Sequence, residues 1–151
     1  MQEIGRRIVH RAELAAELRR LRHREVARIG WRDLAGWATL EEVVATLSEL
    51  ADAIIEIALA CAHREVAERY GQPIGNDTGL PIALTVFGLG KLGGRELNLS
   101  SDVDLIFTYS EPGETQGPRK ISNQEFFIKL GQVLITILEE PTENGIVYRT
   151  D

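Results

Sequence analysis

Long apolar runs, cysteine and histidine are scarce in this chain of 151 residues, and each scarcity excludes a class of protein. No uninterrupted apolar stretch approaches the length of a membrane-spanning helix. The first residues are rich in arginine and lack the apolar core of a secretory signal, so a cytoplasmic location is expected. The single cysteine, Cys61, cannot form an internal disulfide; its apolar helical surroundings mark a small buried side chain rather than a nucleophile. His10, His23 and His63 have no metal-type spacing to cysteine or to acidic residues. Internal repeats and low-complexity tracts are absent as well. What is present, 44% hydrophobic and 26% charged residues, is the composition of one ordinary globular domain with enough chain to bury a core.

The net charge of −6 is unevenly spread. Residues 1–30 carry eight Arg against four Glu, a local +4, which leaves −10 for the rest. A basic first helix raises the question of nucleic acid. Its arginines are interleaved with Glu13, Glu17 and Glu25 and have no aromatic partners, so a solvated or packed helix face is expected and no nucleic-acid partner.

The apolar residues Ile8, Leu14, Leu18 and Leu21 recur at helical spacing from Ile4 to about Ile29, and Gly30 is expected to close that helix. "WRDLAGW" reads as a turn with two aromatic anchors. Thr39 and Glu42 form a capping box that opens a second helix, running through Val43, Leu47, Leu50, Ile54, Ala58 and Leu59 to Tyr70 and ending at Gly71. At 1.5 Å per residue that is roughly 45 Å of helix. "GQPIGNDTGLP" reads as loop, "IALTVFG" as a strand covered on both faces, "VDLIFTY" as a second strand, and "EPGETQGPRK" as a further loop. A second capping box, Ser122 with Glu125, opens a helix with Phe126, Phe127, Leu130, Val133, Leu134 and Ile137 on its inner side, and Pro141 follows it. "GIVYRTD" begins a third strand.

Two signals then adjoin. Gly88, Gly90 and Gly93 spell G-x-G-x-x-G after an apolar run, the fingerprint of dinucleotide binding. That fingerprint requires a crossover helix, and only residues 95–102 separate the turn from the next strand, too few for one. A Walker A loop fails too, because Leu92 follows Lys91 where Ser or Thr is required. Two readings of the glycine turn stay open: its backbone N–H groups and Lys91 cradle phosphate, or the glycines merely permit a tight turn.

The second signal is Asp102 and Asp104. On a strand they point the same way, roughly 7 Å apart, while Val103, Leu105 and Phe107 face a core. Two carboxylates on one face of an otherwise apolar strand call for a cation, and oxygen-only donors suit Mg²⁺ or Mn²⁺. A glycine turn followed by Asp-x-Asp in a strand points to phosphoryl or nucleotidyl transfer with metal ions.

"GLGKLGGRELNLSSDVDLIFTY" resembles the signature of the bifunctional glutamine synthetase adenylyltransferase/adenylyl-removing enzymes, within the DNA polymerase β-like nucleotidyltransferase superfamily. "LRRLRHREVARIGWRDL" resembles the family's helical lead-in, and "TQGPRKISNQEFFIKLGQVLITILEEPTENGIVYRTD" the helix and strand that follow. Lys91 stands where the superfamily usually has Ser. "GRELNLSSDVDLIF" is more similar to the N-terminal, adenylyl-removing half than to the adenylylating half. The resemblance implies an α+β fold, a nucleotidyltransferase mixed sheet with a long N-terminal helical lead-in over residues 1–72 and a core over 73–151, truncated at its C-terminus.

By the same resemblance the reaction is phosphorolysis of adenylyl-tyrosine on glutamine synthetase, giving ADP. Asp102, Asp104 and Asp151 are implied as catalytic residues and ligands of Mg²⁺ (or Mn²⁺), converging on a shared ion. Gly90 and Lys91 are implied to position the phosphates; Ser101 bonds phosphate or caps its turn. A PII-type signal protein is implied as a partner of the whole enzyme. The fragment alone is expected to be inactive and either to self-associate, through an open sheet edge and whichever of Phe126, Leu130 and Val133 is left uncovered, or to show a disordered or displaced C-terminal strand. The adenylylating half, a different nucleotidyltransferase and a noncatalytic interaction module are the competing readings.

Overall fold

A computed structural model describes residues 11–141 and 145–151; Ile4, Ile8 and His10 lie outside the described residues. Helix α1 spans Arg11–Leu34 and α2 spans Leu40–Tyr70. Strand β1, Gln72–Gly75, pairs antiparallel with β4, Gly113–Gln116; β2, Thr85–Gly88, pairs antiparallel with β3, Leu105–Thr108. A single turn, α3, Gly90–Gly93, follows β2, and α4 spans Asn123–Glu139. The class is α+β with two small antiparallel ribbons, as the sequence implies at that level.

Helix α1 does not stop at Gly30. It continues to Leu34, where the Gly36 N–H reaches Asp33 O (2.9 Å) and the Trp37 N–H reaches Arg32 O (2.8 Å), with Gly36 at φ 69°. That pair of bonds is a Schellman stop, which needs a left-handed residue just past the helix. Gly30 has ordinary helical backbone, and a Cβ there would meet nothing within 4 Å. The "WRDLAGW" aromatics are not anchors either: Trp31 and Trp37 are 67% and 68% exposed.

The capping box of α2 is complete, with the Glu42 N–H donating to Thr39 Oγ1 and the Thr39 N–H donating to Glu42 Oε2. For α4 only one half is present. The Glu125 N–H donates to Ser122 Oγ at 3.1 Å, while the Glu125 carboxylate pairs with Lys129 at 3.3 Å. Helix α4 packs on both α1 and α2. Phe126, Leu130, Leu134 and Ile137 are fully buried and Val133 is half-buried, so the inner face expected to lie open is covered. One hydrophobic core runs without a break from Leu14 of α1 through α2 and α4 to Tyr148, across the expected boundary at 72/73. Each fully buried Leu or Ile contributes about 1.5–3 kcal/mol.

Both segments read as loops contain strands, because β1 and β4 supply each other's hydrogen bonds. Asn123, buried at the start of α4, donates to Ile74 O at 2.9 Å and ties that ribbon to the helix. Next to it, the buried Glu111 carboxylate accepts from the amides of Asp77 (2.8 Å) and Thr78 (3.2 Å) and from the Thr78 hydroxyl (2.5 Å). Strand β2 is not covered on both faces, since Phe87 is 52% exposed. Four arginines of the basic first helix pair with glutamates: Arg20 with Glu17, Arg24 and Arg28 with Glu25, and Arg11 with Glu65 of α2. Among the described residues no helix is long and apolar enough to cross a membrane.

Two outcomes are expected. Gly30→Ala should stabilise the chain by about 0.5–1 kcal/mol in urea unfolding, the helix-interior preference of Ala over Gly with no steric cost. The hydrogen bond from the Thr78 hydroxyl, then those from the Asp77 and Thr78 amides, hold the Glu111 carboxyl below its ordinary range. A folded value below the unfolded one means stability that is present above the ordinary glutamate range and lost as pH falls through the folded value. Glu111→Gln should therefore be less stable than the parent at neutral pH, and the gap should close on acidification. A gap that stays constant with pH would remove the carboxylate from this role.

Candidate functional site

The glycine turn is built by close approach. Gly90 sits at φ 53°, and a Cβ there would strike Asp104 Oδ2. A side chain at this position would carry both backbone strain and a collision. A Cβ on Gly88 would come within 2.8 Å of the Leu92 side chain, and one on Gly93 would strike the Gly88 carbonyl. Packing α3 onto β2 thus accounts for Gly88 and Gly93, and the left-handed backbone with the Asp104 contact accounts for Gly90. The flanking strands β2 and β3 run antiparallel, against the parallel pair a dinucleotide fold requires. Lys91 is exposed and pairs with no described residue.

Helix α2 holds the connection from turn to carboxylates. The Leu97 N–H donates to the buried Ser48 hydroxyl at 3.2 Å, which itself donates to Val44 O at 2.8 Å. Arg95, at φ 57°, pairs with Glu49 at 2.7 Å. Ser101 Oγ accepts from the Asn98 N–H at 3.2 Å, the turn-capping one of the two roles open to it.

Beyond the turn, Val103 is fully buried and forms a parallel bridge with Thr150. The Val103 N–H donates to Arg149 O (3.0 Å), the Asp151 N–H to Val103 O (3.0 Å) and the Leu105 N–H to Asp151 O (2.9 Å). Residues 149–151 therefore run along β3 on the side away from β2. Paired residues share a sheet face, so Thr150 lies with Val103, and Arg149 and Asp151 lie on the face of Asp102 and Asp104. The segment expected as a third strand makes only an isolated bridge to Val103, and two hydrogen bonds to Glu139 Oε1 anchor it to α4, from the Thr150 N–H (2.9 Å) and hydroxyl (2.7 Å). The amide bond first, then the hydroxyl, holds the Glu139 carboxyl below its usual range.

The side chains on this shared face turn to different neighbours. Asp102 Oδ2 lies 3.7 Å from Arg149 Nη1, and Asp104 Oδ2 lies against Gly90. Among the described residues no group of three His, Cys, Asp or Glu side chains is gathered as an ion would hold it. The register brings Asp102, Asp104 and Asp151 to one face, and their donor set, oxygen only, fits a hard divalent cation. Arg22 is the residue the sequence did not single out, being one arginine among eight in its segment. It lines a cleft of about 210 Å³ with Ser100, Ser101, Asp102, Tyr148 and Arg149.

Gly90→Ala should cost about 1–2 kcal/mol in urea unfolding, the penalty for an L residue in left-handed backbone. Contacting residues couple, so the cost should shrink when Asp104→Ala clears the carboxylate from the way. Equal costs in both backgrounds would mean that backbone strain alone requires the glycine.

Residues 2–151 match the family model described as glutamate-ammonia ligase adenylyltransferase. A bifunctional glutamine synthetase adenylyltransferase/adenylyl-removing enzyme from Nitrosococcus oceani is 54% identical over 140 residues, covering 92% of this chain and 14% of that protein. The proteins of the same name from Chromobacterium violaceum and Pseudomonas aeruginosa are 55% and 52% identical, over 91% and 92% of this chain and 15% and 14% of their own lengths. The chain thus spans about a seventh of the relatives it matches. Matched along nearly its whole length, it belongs to the glutamate-ammonia ligase adenylyltransferase family.

Proposed function

We propose that this chain is the catalytic nucleotidyltransferase core of the adenylyl-removing half of a bifunctional glutamine synthetase adenylyltransferase, acting in the cytoplasm on adenylylated glutamine synthetase. The observation that carries the reading is that Asp102 and Asp104, flanking Val103 just before β3, share a face with Asp151 of the segment bridged to Val103, beside the Gly90 turn. The printed names of the relatives support glutamine synthetase as the protein substrate. A PII-type signal protein would regulate the whole enzyme, as the family resemblance implies.

Phosphorolysis forms a bond from a phosphate oxygen to the α-phosphorus while the bond from that phosphorus to the tyrosyl oxygen breaks. The proton given up by the phosphate goes to the tyrosyl oxygen, and the products are ADP and free tyrosine hydroxyl. Asp102, Asp104 and Asp151 would hold Mg²⁺ or Mn²⁺, which when bound neutralises charge on the reacting phosphates. Asp151 would also assist the moving proton, a role the family resemblance implies. The backbone at Gly90 and Lys91 would position the adenylyl phosphate, with Ser101 at the edge of the same face. The 151-residue chain by itself, about a seventh of the relatives' length, would not turn over.

In the full-length enzyme that carries this chain, Asp102→Asn and Asp104→Asn should each abolish ADP release from adenylylated glutamine synthetase while the fold, followed by circular dichroism, is kept. Near-normal phosphorolysis by either variant at saturating Mg²⁺ would sink the assignment. Release of pyrophosphate from ATP with unmodified glutamine synthetase, dependent on these same carboxylates, would instead place the chain in the adenylylating half.

A further inference from the structure

The cleft beside Asp102 has a composition that the carboxylate site does not use. It is lined by Arg22, Ser100, Ser101, Asp102, Tyr148 and Arg149, with Ile146 and Val147 behind them. Two guanidinium groups face one carboxylate, so the cleft carries a net positive charge in a chain whose total is −6. At about 210 Å³ it is smaller than the roughly 300–1,000 Å³ typical of sites for drug-sized ligands, a scale suited to a small oxyanion.

Both arginines have donors to spare. The Arg22 Nη2–H donates to Leu99 O at 3.2 Å, and its guanidinium stacks over the Tyr148 ring, 4.6 Å from the centroid. Its Nε is buried and has no hydrogen-bond partner among the described residues. A buried donor left unpaired is costly, and a bound acceptor would remove that cost. Arg149 approaches Asp102 at 3.7 Å, beyond hydrogen-bond distance, and its side chain is 68% exposed. An exposed pair of this kind contributes little by itself, so Arg149 is cheaply turned toward another anion. The Tyr148 phenol, whose pKa burial pushes up, stays neutral beneath Arg22 and leaves that charge uncancelled. Arginine forks match tetrahedral oxyanions bidentately, and the Ser100 and Ser101 hydroxyls border the same space.

We propose that this cleft binds inorganic phosphate, the attacking reactant of phosphorolysis, with Arg22 of α1 and Arg149 of the final strand as its cationic clamp. The inference rests on the phosphorolytic reading above and deepens it. The clamp sets phosphate on the Asp102 side of the carboxylate face, and it gives α1 a part in the reaction through Arg22.

The test is titration of inorganic phosphate into the 151-residue chain at constant ionic strength, followed by ³¹P line broadening and calorimetry. Saturable binding, displaced by sulfate, is expected. Arg22→Gln and Arg149→Gln should each weaken it at least tenfold, whereas Lys129→Gln on α4 should leave it unchanged. Arg22 also supports Tyr148 and the Leu99 carbonyl, so if Arg22→Gln is unfolded by circular dichroism, the exposed Arg149→Gln decides. In the full-length enzyme the same substitutions should raise the KM for phosphate more than the KM for adenylylated glutamine synthetase. No saturable binding at millimolar phosphate, or equal binding in folded variants at both arginines, would overturn the proposal. That failure is separable from failure of the functional reading, which stands or falls on loss of turnover in Asp104→Asn.

Discussion

A single buried hydrogen bond, from the Leu97 amide to the Ser48 hydroxyl, ties the glycine turn and the carboxylate strand to the long helix α2. Both groups are shielded from water, so each would be costly alone, and the pairing leaves the connection little freedom. Leu97 enters the core beside it, and Arg95 and Glu49 close the outer side of the same junction. With so short a path between turn and strand, fixing its middle fixes both ends. The helices α1 and α2 therefore act as the template on which the site is set, and they share one core with the sheet.

From that junction two contacts define the carboxylate face. Asp104 fills the space that a side chain at Gly90 would need, so the turn and the acidic strand constrain each other directly. Asp102 leans toward Arg149, a residue brought in by the parallel strand that Glu139 holds through Thr150. The site is thus assembled from three directions: the β2–α3 turn, the start of β3, and a final strand anchored to α4. Charge is arranged asymmetrically across it, with carboxylates along the sheet face and guanidinium groups toward α1. Such an arrangement would suit the proposed phosphorolysis, in which anionic phosphates must be both neutralised and held apart until they are aligned.

The elements legible in advance were those whose signals are local. Thr39 with Glu42 and the apolar spacing from Val43 to Leu59 specify α2 without reference to any other segment. The alternation of Val103, Leu105 and Phe107 with the aspartates specifies the face of β3, and the shortness of the stretch after Gly94 rules out a crossover helix. The misreadings all came from signals with more than one meaning. Gly30 was expected to close α1, but a glycine in open space inside a helix costs only about 1 kcal/mol relative to Ala, less than the packing of the helix provides. β1 and β4 were expected as loops because each is short and rich in turn formers, and each is a strand only through the other. Trp31 and Trp37 are aromatic without being buried, Trp31 on the exposed side of the extended α1 and Trp37 in the turn after it.

By itself the sequence determined the long helices, the glycine turn with the acidic pair soon after it, and the resemblance that named a family, because the signals for each are carried by residues close together in the chain. Tertiary structure alone decided which strands pair, that Asp104 occupies the space a side chain at Gly90 would need, and that Asp102 faces Arg149. It alone separated Arg22 from the other arginines of α1, most of which pair with nearby glutamates while this one is carried over Tyr148 beside the carboxylates. The physical reason is common to all of these. They are contacts between segments distant in the chain, and their partners are set by the packing of the core rather than by the identity of any one residue.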